Sequence, residues 1–170
     1  MAAVFTLRAT ARLLARLKMA PQERPPASTT RLGDWYVNLL GAPSSQFILC
    51  VSERTLLPVI LPAEDGASLS LRLALALGEV LREIGVSEDM TAAELGQMTE
   101  VSVAKTANRR VLGSMSDFAY LLDAYKQGGR SLLDVSLRLA EAPCGLIGME
   151  SPKHATLELF AHGPRLHLLH

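Results

Sequence analysis

Three segments typical of β-strands follow one another in the middle of this 170-residue sequence. The three segments, rich in aromatic, β-branched and aliphatic residues, are Trp35–Leu40, Gln46–Ser52 and Leu56–Leu61. The residues between them, Gly41–Ser45 and Glu53–Thr55, form connections of a length that suits β-hairpins. The sequence therefore predicts a hairpin or meander over about 35–61, and this element constrains the fold more than any other.

Helical and strand-like patterns flank the meander on both sides. Apolar residues that recur every three or four positions predict about four to five helices, one after Thr10, one that a Thr91–Glu94 capping box begins, and others at Ser68–Ile84, Ser116–Lys126 and Ser131–Ala140. Alternation of apolar and polar residues predicts further strands at Val4–Arg8, Glu100–Thr106, Leu146–Met149 and Ala155–Phe160. This mixture favours an α+β fold, in which helices pack on a mainly antiparallel sheet.

The composition supports one compact domain over residues 1–170. Hydrophobic residues make up 49% of the chain, charged residues make up 20%, and the formal net charge is zero. These values exclude an intrinsically disordered chain, which has low hydrophobicity and high net charge. Three prolines predict a loop at residues 20–31, and the tail at residues 162–170 is expected to be irregular.

The neutral net charge conceals an uneven distribution along the chain. Residues 1–33 carry six basic side chains and one acid, residues 79–100 carry six acids and one arginine, and residues 101–130 carry five basic side chains and two acids. A charged partner would therefore meet a local basic or acidic face, unless these segments simply pack against each other. The neutral total argues against a strongly nucleic-acid-binding domain, which is usually basic overall.

The sequence also carries expectations about location, cofactors and metals. We expect a soluble cytoplasmic protein, because no membrane-spanning or secretory segment is visible and Cys50 and Cys144 lie in apolar runs as buried, reduced thiols. The histidines near the end, His162, His167 and His170, have no usual zinc spacing. No nucleotide-binding fingerprint is present either, so neither a metal nor a cofactor is predicted.

The segment Lys105–Asp117 is the most conspicuous polar motif, and it lies between a predicted strand and a predicted helix. Backbone amides at the start of a helix can hold an anion, and the polar side chains of the motif would add donors. Its candidate ligand-binding residues are Lys105, Thr106, Asn108, Arg109, Arg110, Ser114 and Asp117. In the structural alternative, Ser114 and Asp117 cap the helix together with Ser116, and Asn108 shapes a turn.

Several blocks of the sequence resemble an uncharacterised bacterial domain-of-unknown-function family, the one numbered six-nine-three-three. The blocks are Phe5–Thr10, Asp34–Leu39, Val51–Leu56 and, most specifically, Lys105–Phe118. Ser116 stands where the family pattern has asparagine. The resemblance implies a compact intracellular domain but supplies no activity, cofactor or catalytic residue.

Two functions from different classes are compatible with these features. The sequence favours a non-catalytic binding module that uses Lys105–Asp117 to bind a protein or nucleic-acid partner. The alternative is a small enzyme that acts on a phosphate-containing or nucleic-acid substrate, with Arg109 and Arg110 neutralising charge and Asp117 or Glu53 as the base. No nucleophile or base–orienter pair follows from spacing alone, and the oligomeric state remains open.

Overall fold

A computed structural model describes residues 2–64 and 66–162. Its strands are β1 (Val4–Ala9), β2 (Trp35–Ala42), β3 (Ser45–Ser52), β4 (Pro58–Pro62) and β5 (Glu100–Lys105). Its α-helices are α1 (Ala11–Leu17), α2 (Leu69–Ile84), α3 (Glu88–Gly96), α4 (Arg109–Lys126), α5 (Leu132–Leu139) and α6 (Pro152–His162). The α+β prediction is therefore confirmed.

The five strands form one mixed sheet in the order β4-β3-β2-β1-β5. Strands β2, β3 and β4 are antiparallel, with Val37 opposite Cys50 and Cys50 opposite Val59, which confirms the predicted meander. Strand β1 pairs in parallel with β2 on one side and with β5 on the other. The carboxyl ends of β1 and β5 therefore lie side by side, with Ala9 opposite Lys105.

Alternation along the strands gives the sheet two buried faces. The core of the first face lies between the sheet and the inward side of α2. It contains Phe5, Leu7 and Trp35 of the strands and Leu13 of α1. On the second face, strand residues of the meander pack with α4 and α5. The outer edge of β4 is covered as well, because its Ile60 amide donates to the Ser136 hydroxyl of α5 at 3.0 Å. Helices thus pack on both faces of the meander, whereas a loop covers the second face of β1 and β5.

That loop is the proline-rich segment at residues 20–31, which contains no helix or strand beyond one isolated bridge. Its Gln22 amide donates to the Val103 carbonyl at the outer edge of β5, at 2.7 Å. Farther along, the Ser28 hydroxyl accepts a hydrogen bond from the Thr6 amide, and the Thr29 amide donates to the Val4 carbonyl. The loop is therefore tied to both parallel strands.

The structure corrects the predicted ends of two helices. Helix α4 begins at Arg109 instead of Ser116, because Asn108 is its N-cap. The Thr91–Glu94 capping box is wrong, because α3 begins at Glu88 after Ser87, whose hydroxyl accepts from the Met90 amide. At both helix starts the sequence offers several polar residues that can act as N-cap, and local sequence does not determine which of them does.

The two strands predicted near the end of the chain, Leu146–Met149 and Ala155–Phe160, are also wrong. The segment predicted as the strand Leu146–Met149 overlaps a 3-10 turn, Gly145–Ile147, and the segment predicted as the strand Ala155–Phe160 lies within α6. The Ser151 hydroxyl accepts from the His154 amide, and Pro152 is the first residue of the helix, a position where its missing N–H costs nothing. Of the tail predicted to be irregular, His162 ends α6, and residues 163–170 lie outside the described part.

None of the helices in residues 2–64 and 66–162 combines the length and the apolar character that a membrane crossing requires.

Candidate functional site

The carboxyl ends of the parallel strands β1 and β5 are the place where the chain leaves the sheet in two opposite directions. After β1 the chain enters α1, whose Leu13 is buried in the core of the first face. After β5 it enters α4, whose Val111 and Phe118 are buried on the second face. Neighbouring parallel strands that diverge in this way leave a crevice outside their carboxyl ends, where open α/β sheets bind ligands.

A groove of about 390 Å³ lies at this point, between the proline-rich loop and the connection from β5 to α4. We call it the β1–β5 groove, and its lining residues are Arg8, Pro21, Gln22, Glu23, Ala104, Lys105, Thr106 and Ala107. Its volume falls within the range of small-molecule sites.

Arg8 lines the groove, and two hydrogen bonds hold its guanidinium in place. Its Nε donates to Asp34 Oδ2 at 2.6 Å, and its Nη1 donates to the Lys105 carbonyl at 3.0 Å. The other carboxylate oxygen of Asp34, Oδ1, accepts from the Ser28 hydroxyl at 2.5 Å. The ion pair is mostly shielded from solvent, since the Arg8 and Asp34 side chains are 21% and 11% exposed. The guanidinium is therefore oriented before any ligand arrives.

Glu53 and Tyr36 extend this polar cluster across the second face of the sheet. Glu53 accepts a hydrogen bond from the Asp34 amide at 3.2 Å. Burial raises the pKa of Glu53, and the nearby Asp34 carboxylate raises it further, while Arg8 acts in the opposite direction. Burial also raises the pKa of Tyr36, whose hydroxyl accepts from the Asn108 amide at 3.0 Å. A partly buried acid therefore lies near a phenol, an arginine and the start of α4.

The start of α4 is closed by its own cap. Asn108 Oδ1 accepts from the amides of Arg110 at 2.9 Å and Val111 at 3.4 Å, and the Asn108 amide is bonded to Tyr36. These amides are the ones that an anion at a helix N-terminus would use. An anion bound near the motif would therefore depend mainly on side chains.

The seven residues predicted from the motif do not all lie at the groove. Lys105 and Thr106 line the groove, Asn108 caps α4, and Arg109 and Arg110 lie exposed in the first turn. Ser114 and Asp117 lie farther along α4. Burial and the charge on Asp117 together raise the pKa of Cys144 to about 11, so the Asp117 carboxylate lies towards the Cys144 turn. The structure thus brings Lys105 and Thr106 together with Arg8, and it does not bring Asp117 and Glu53 into one pocket.

A family model described as "Domain of unknown function (DUF6933)" matches residues 6–155. The chain belongs to this family. Neither a curated protein nor a solved structure matches the chain. The DUF6933 match includes the β1–β5 groove, the Arg8–Asp34 pair and all seven motif residues, and its description assigns none of them a role.

The structure adds Arg8 and Asp34 to the candidate site of this DUF6933 member. Arg8 follows Leu7 in a predicted strand, where its outward position in the alternation made it one basic residue among six in the first 33. Asp34 directly precedes the predicted strand Trp35–Leu40. The charge of Arg8 and of Asp34 is the only local signal for their pairing. That signal identifies a pair only once β1 and β2 are known to be parallel neighbours.

Metal ligation finds no support in the described part of the chain. There, no group of three or more His, Cys, Asp or Glu side chains is placed to hold a metal ion. The His154 side chain lies 3.8 Å from Glu150 and 3.7 Å from Glu158 on the surface of α6. Of the tail histidines, His167 and His170 fall outside the described residues.

Proposed function

We propose that the protein is a non-catalytic binding module that takes a phosphate-bearing ligand in the β1–β5 groove. The observation that carries this proposal is the position of the groove, at the diverging carboxyl ends of two parallel strands and next to an oriented arginine. Arg8 and Lys105 supply positive charge, and the Thr106 hydroxyl supplies a further donor.

The first turn of α4 extends the basic character beyond the groove. Arg109 and Arg110 are exposed there, next to the segment that carries Lys105 and Thr106. A mononucleotide would fill the groove alone, whereas a nucleic acid would place further phosphates along these two arginines. A protein partner is the third possibility, and it would use acidic or phosphorylated side chains in the same way.

Binding at low salt to a fluorescent single-stranded oligonucleotide and to a mononucleotide tests this proposal. Lys105→Ala should weaken both ligands about fivefold, because it removes one phosphate contact. Replacing Arg109 and Arg110 together by alanine should weaken only the oligonucleotide, and should flatten the slope of log affinity against log salt by about 1.4.

The matched control is Arg138→Ala, because Arg138 is exposed on α5, which packs on β4 at the opposite edge of the sheet. This variant should bind both ligands as the wild type does. If neither ligand binds the wild type at low salt, phosphate recognition is wrong, and affinity capture from the host then tests a protein partner.

The cluster around Glu53 favours a second candidate, a small enzyme acting on a phosphate-containing substrate. Burial and Asp34 raise the pKa of Glu53, which is the direction required of a carboxylate that exchanges protons near neutral pH. Tyr36 lies near enough for the Glu53 charge to raise its pKa, and Arg8 would neutralise the substrate. Asp117, the other acid suggested by the sequence, does not belong to this cluster.

A screen of phosphatase, phosphodiesterase and nuclease activities separates the enzyme from the binding module. If Glu53 is a general base, Glu53→Gln should lower the rate about 100-fold or more. The wild-type rate should also rise with pH through the raised pKa, because only the ionised carboxylate accepts a proton. Asp134→Asn, at an exposed position on α5, is the control. Equal rates for both variants, or none, would rule out this candidate.

A location in the cytoplasm is part of the proposal. Cys50 and Cys144 are free and buried in separate cores on the two faces of the sheet. Burial raises the pKa of both thiols, which suits unreactive core residues in a reducing compartment.

A further inference from the structure

The β1–β5 groove carries both signs of charge, which is unusual for a site that only neutralises a phosphate. Arg8 and Lys105 are basic, whereas Glu23 contributes a carboxylate from the opposite wall and Gln22 contributes an amide. Pro21, Ala104 of β5 and Ala107 of the β5–α4 connection provide apolar surface between them. A ligand that fits this groove therefore needs more than an anionic group.

The charge on Arg8 is already balanced in part. Asp34 accepts from Arg8 Nε at 2.6 Å, so the pair adds little net charge to the groove. Its main contribution is a guanidinium whose remaining N–H donors have a fixed orientation. Among the described residues, Arg8 Nη2 has no hydrogen-bond acceptor, which leaves its two N–H groups to a ligand. A purely anionic ligand would gain from Nη2 and Lys105 but would be repelled by Glu23.

We propose that the groove binds a phosphate monoester whose other end carries amino or amide N–H groups, as purine nucleoside monophosphates do. The phosphate lies against Arg8 Nη2 and Lys105, and the N–H groups donate to the Glu23 carboxylate. This inference rests on the proposed binding of a phosphate-bearing ligand and specifies its chemical class. The groove of about 390 Å³ is of a size for one such molecule.

Purine nucleotides that differ by one amino group make the role of Glu23 measurable. GMP has N1–H and a 2-amino group that together can face a carboxylate, whereas IMP lacks the 2-amino group. AMP and purine riboside monophosphate form a second pair that differs by the 6-amino group. Hydrogen bonds to a charged acceptor are strong enough for one of them to change affinity about tenfold.

Isothermal titration of the whole chain with these four nucleotides and with inorganic phosphate tests the proposal. At least one amino-bearing nucleotide should bind about tenfold more tightly than its partner and more tightly than phosphate. Glu23→Gln should remove most of that preference, because an amide is a weaker acceptor than a carboxylate. Glu23 is exposed in a loop, so this variant is expected to fold normally. Lys105→Ala should weaken all nucleotides by a similar factor.

The results distinguish this inference from the function on which it rests. If the nucleotides bind and Lys105→Ala weakens them, but neither pair shows a preference, phosphate binding stands and the amino-bearing ligand class is wrong. A preference that survives in Glu23→Gln also contradicts the assignment to Glu23. If no phosphate compound binds, the proposed function and this inference both fail.

Discussion

Glu94→Ala should lower the free energy of unfolding by about 3 kcal/mol, because it removes the acceptor of two backbone amides. The Glu94 side chain on α3 is only 2% exposed, and its two oxygens accept from the Arg31 amide at 2.8 Å and the Leu32 amide at 3.0 Å. Leu32 is itself fully buried, so water cannot replace the carboxylate there without opening the core. Urea unfolding of the purified protein measures the loss.

The loss should depend on pH in a defined direction. Burial raises the pKa of Glu94 above its ordinary value of 4.5, although the two amides and nearby arginines act against this. The folded protein then holds this proton more tightly than the unfolded chain does, so wild-type stability falls as pH rises from about 4.5 through the folded pKa. The variant lacks this contribution, and the difference between the two proteins should narrow as pH rises.

Glu88→Ala on the same helix is the control for charge and helix propensity. Glu88 is 67% exposed and pairs with Arg82 at 2.8 Å, and an exposed pair of this kind adds little to stability because water screens both charges. Similar losses in the two variants would show that α3 responds to any lost acid, and would contradict a specific role for Glu94 in holding the chain at Arg31 and Leu32.

The meander could be predicted because its signals are local. Its strands are separated by a few residues, and the register places Leu40 opposite Phe47 without any long-range information. The α+β class followed from the same local patterns. The contacts that stabilise such a hairpin are made between residues close together in the chain, and the alternation of apolar residues in the sequence indicates those contacts.

The candidate groove could not be predicted in the same way, because it depends on pairings between distant segments. Arg8 lies opposite Tyr36 on one side and opposite Ala104 on the other, although Ala104 is almost a hundred residues away in the chain. Only this parallel arrangement places Lys105 and Thr106 beside Arg8. The sequence identifies Lys105–Asp117 as a polar motif, but the other residues that line the groove come from the proline-rich loop and from β1.

The errors at α4 and α6 share a physical cause. Asn108 and Ser151 are both N-caps, whereas the sequence pattern predicts a turn at Asn108 and no role for Ser151. Pro152 separates the two predicted strands Leu146–Met149 and Ala155–Phe160, although proline is favoured in the first turn of a helix. Capping is decided by which start lets the apolar side of the helix face the core, and that side is known only from tertiary packing.

Phe118→Ala should destabilise the protein by about 4 kcal/mol, because it leaves a cavity where α4 packs on the second face of the sheet. Phe118 is 2% exposed and belongs to the core that also contains Tyr36, Val111 and Met115. The same helix starts at Asn108, whose amide is bonded to the Tyr36 hydroxyl. Loosening α4 should therefore also weaken ligand binding at the adjoining β5–α4 connection, as measured by the oligonucleotide titration.

Tyr120→Ala provides the matched control, since Tyr120 is also an aromatic residue of α4 but is 81% exposed. Removing it creates no cavity, so the free energy of unfolding should change by about 0.5 kcal/mol or less. A large loss at Tyr120 together with a small one at Phe118 would mean that α4 is rotated about its axis. Arg109 and Arg110 would then face a different side of the molecule, and the basic surface proposed beside the groove would have to be abandoned.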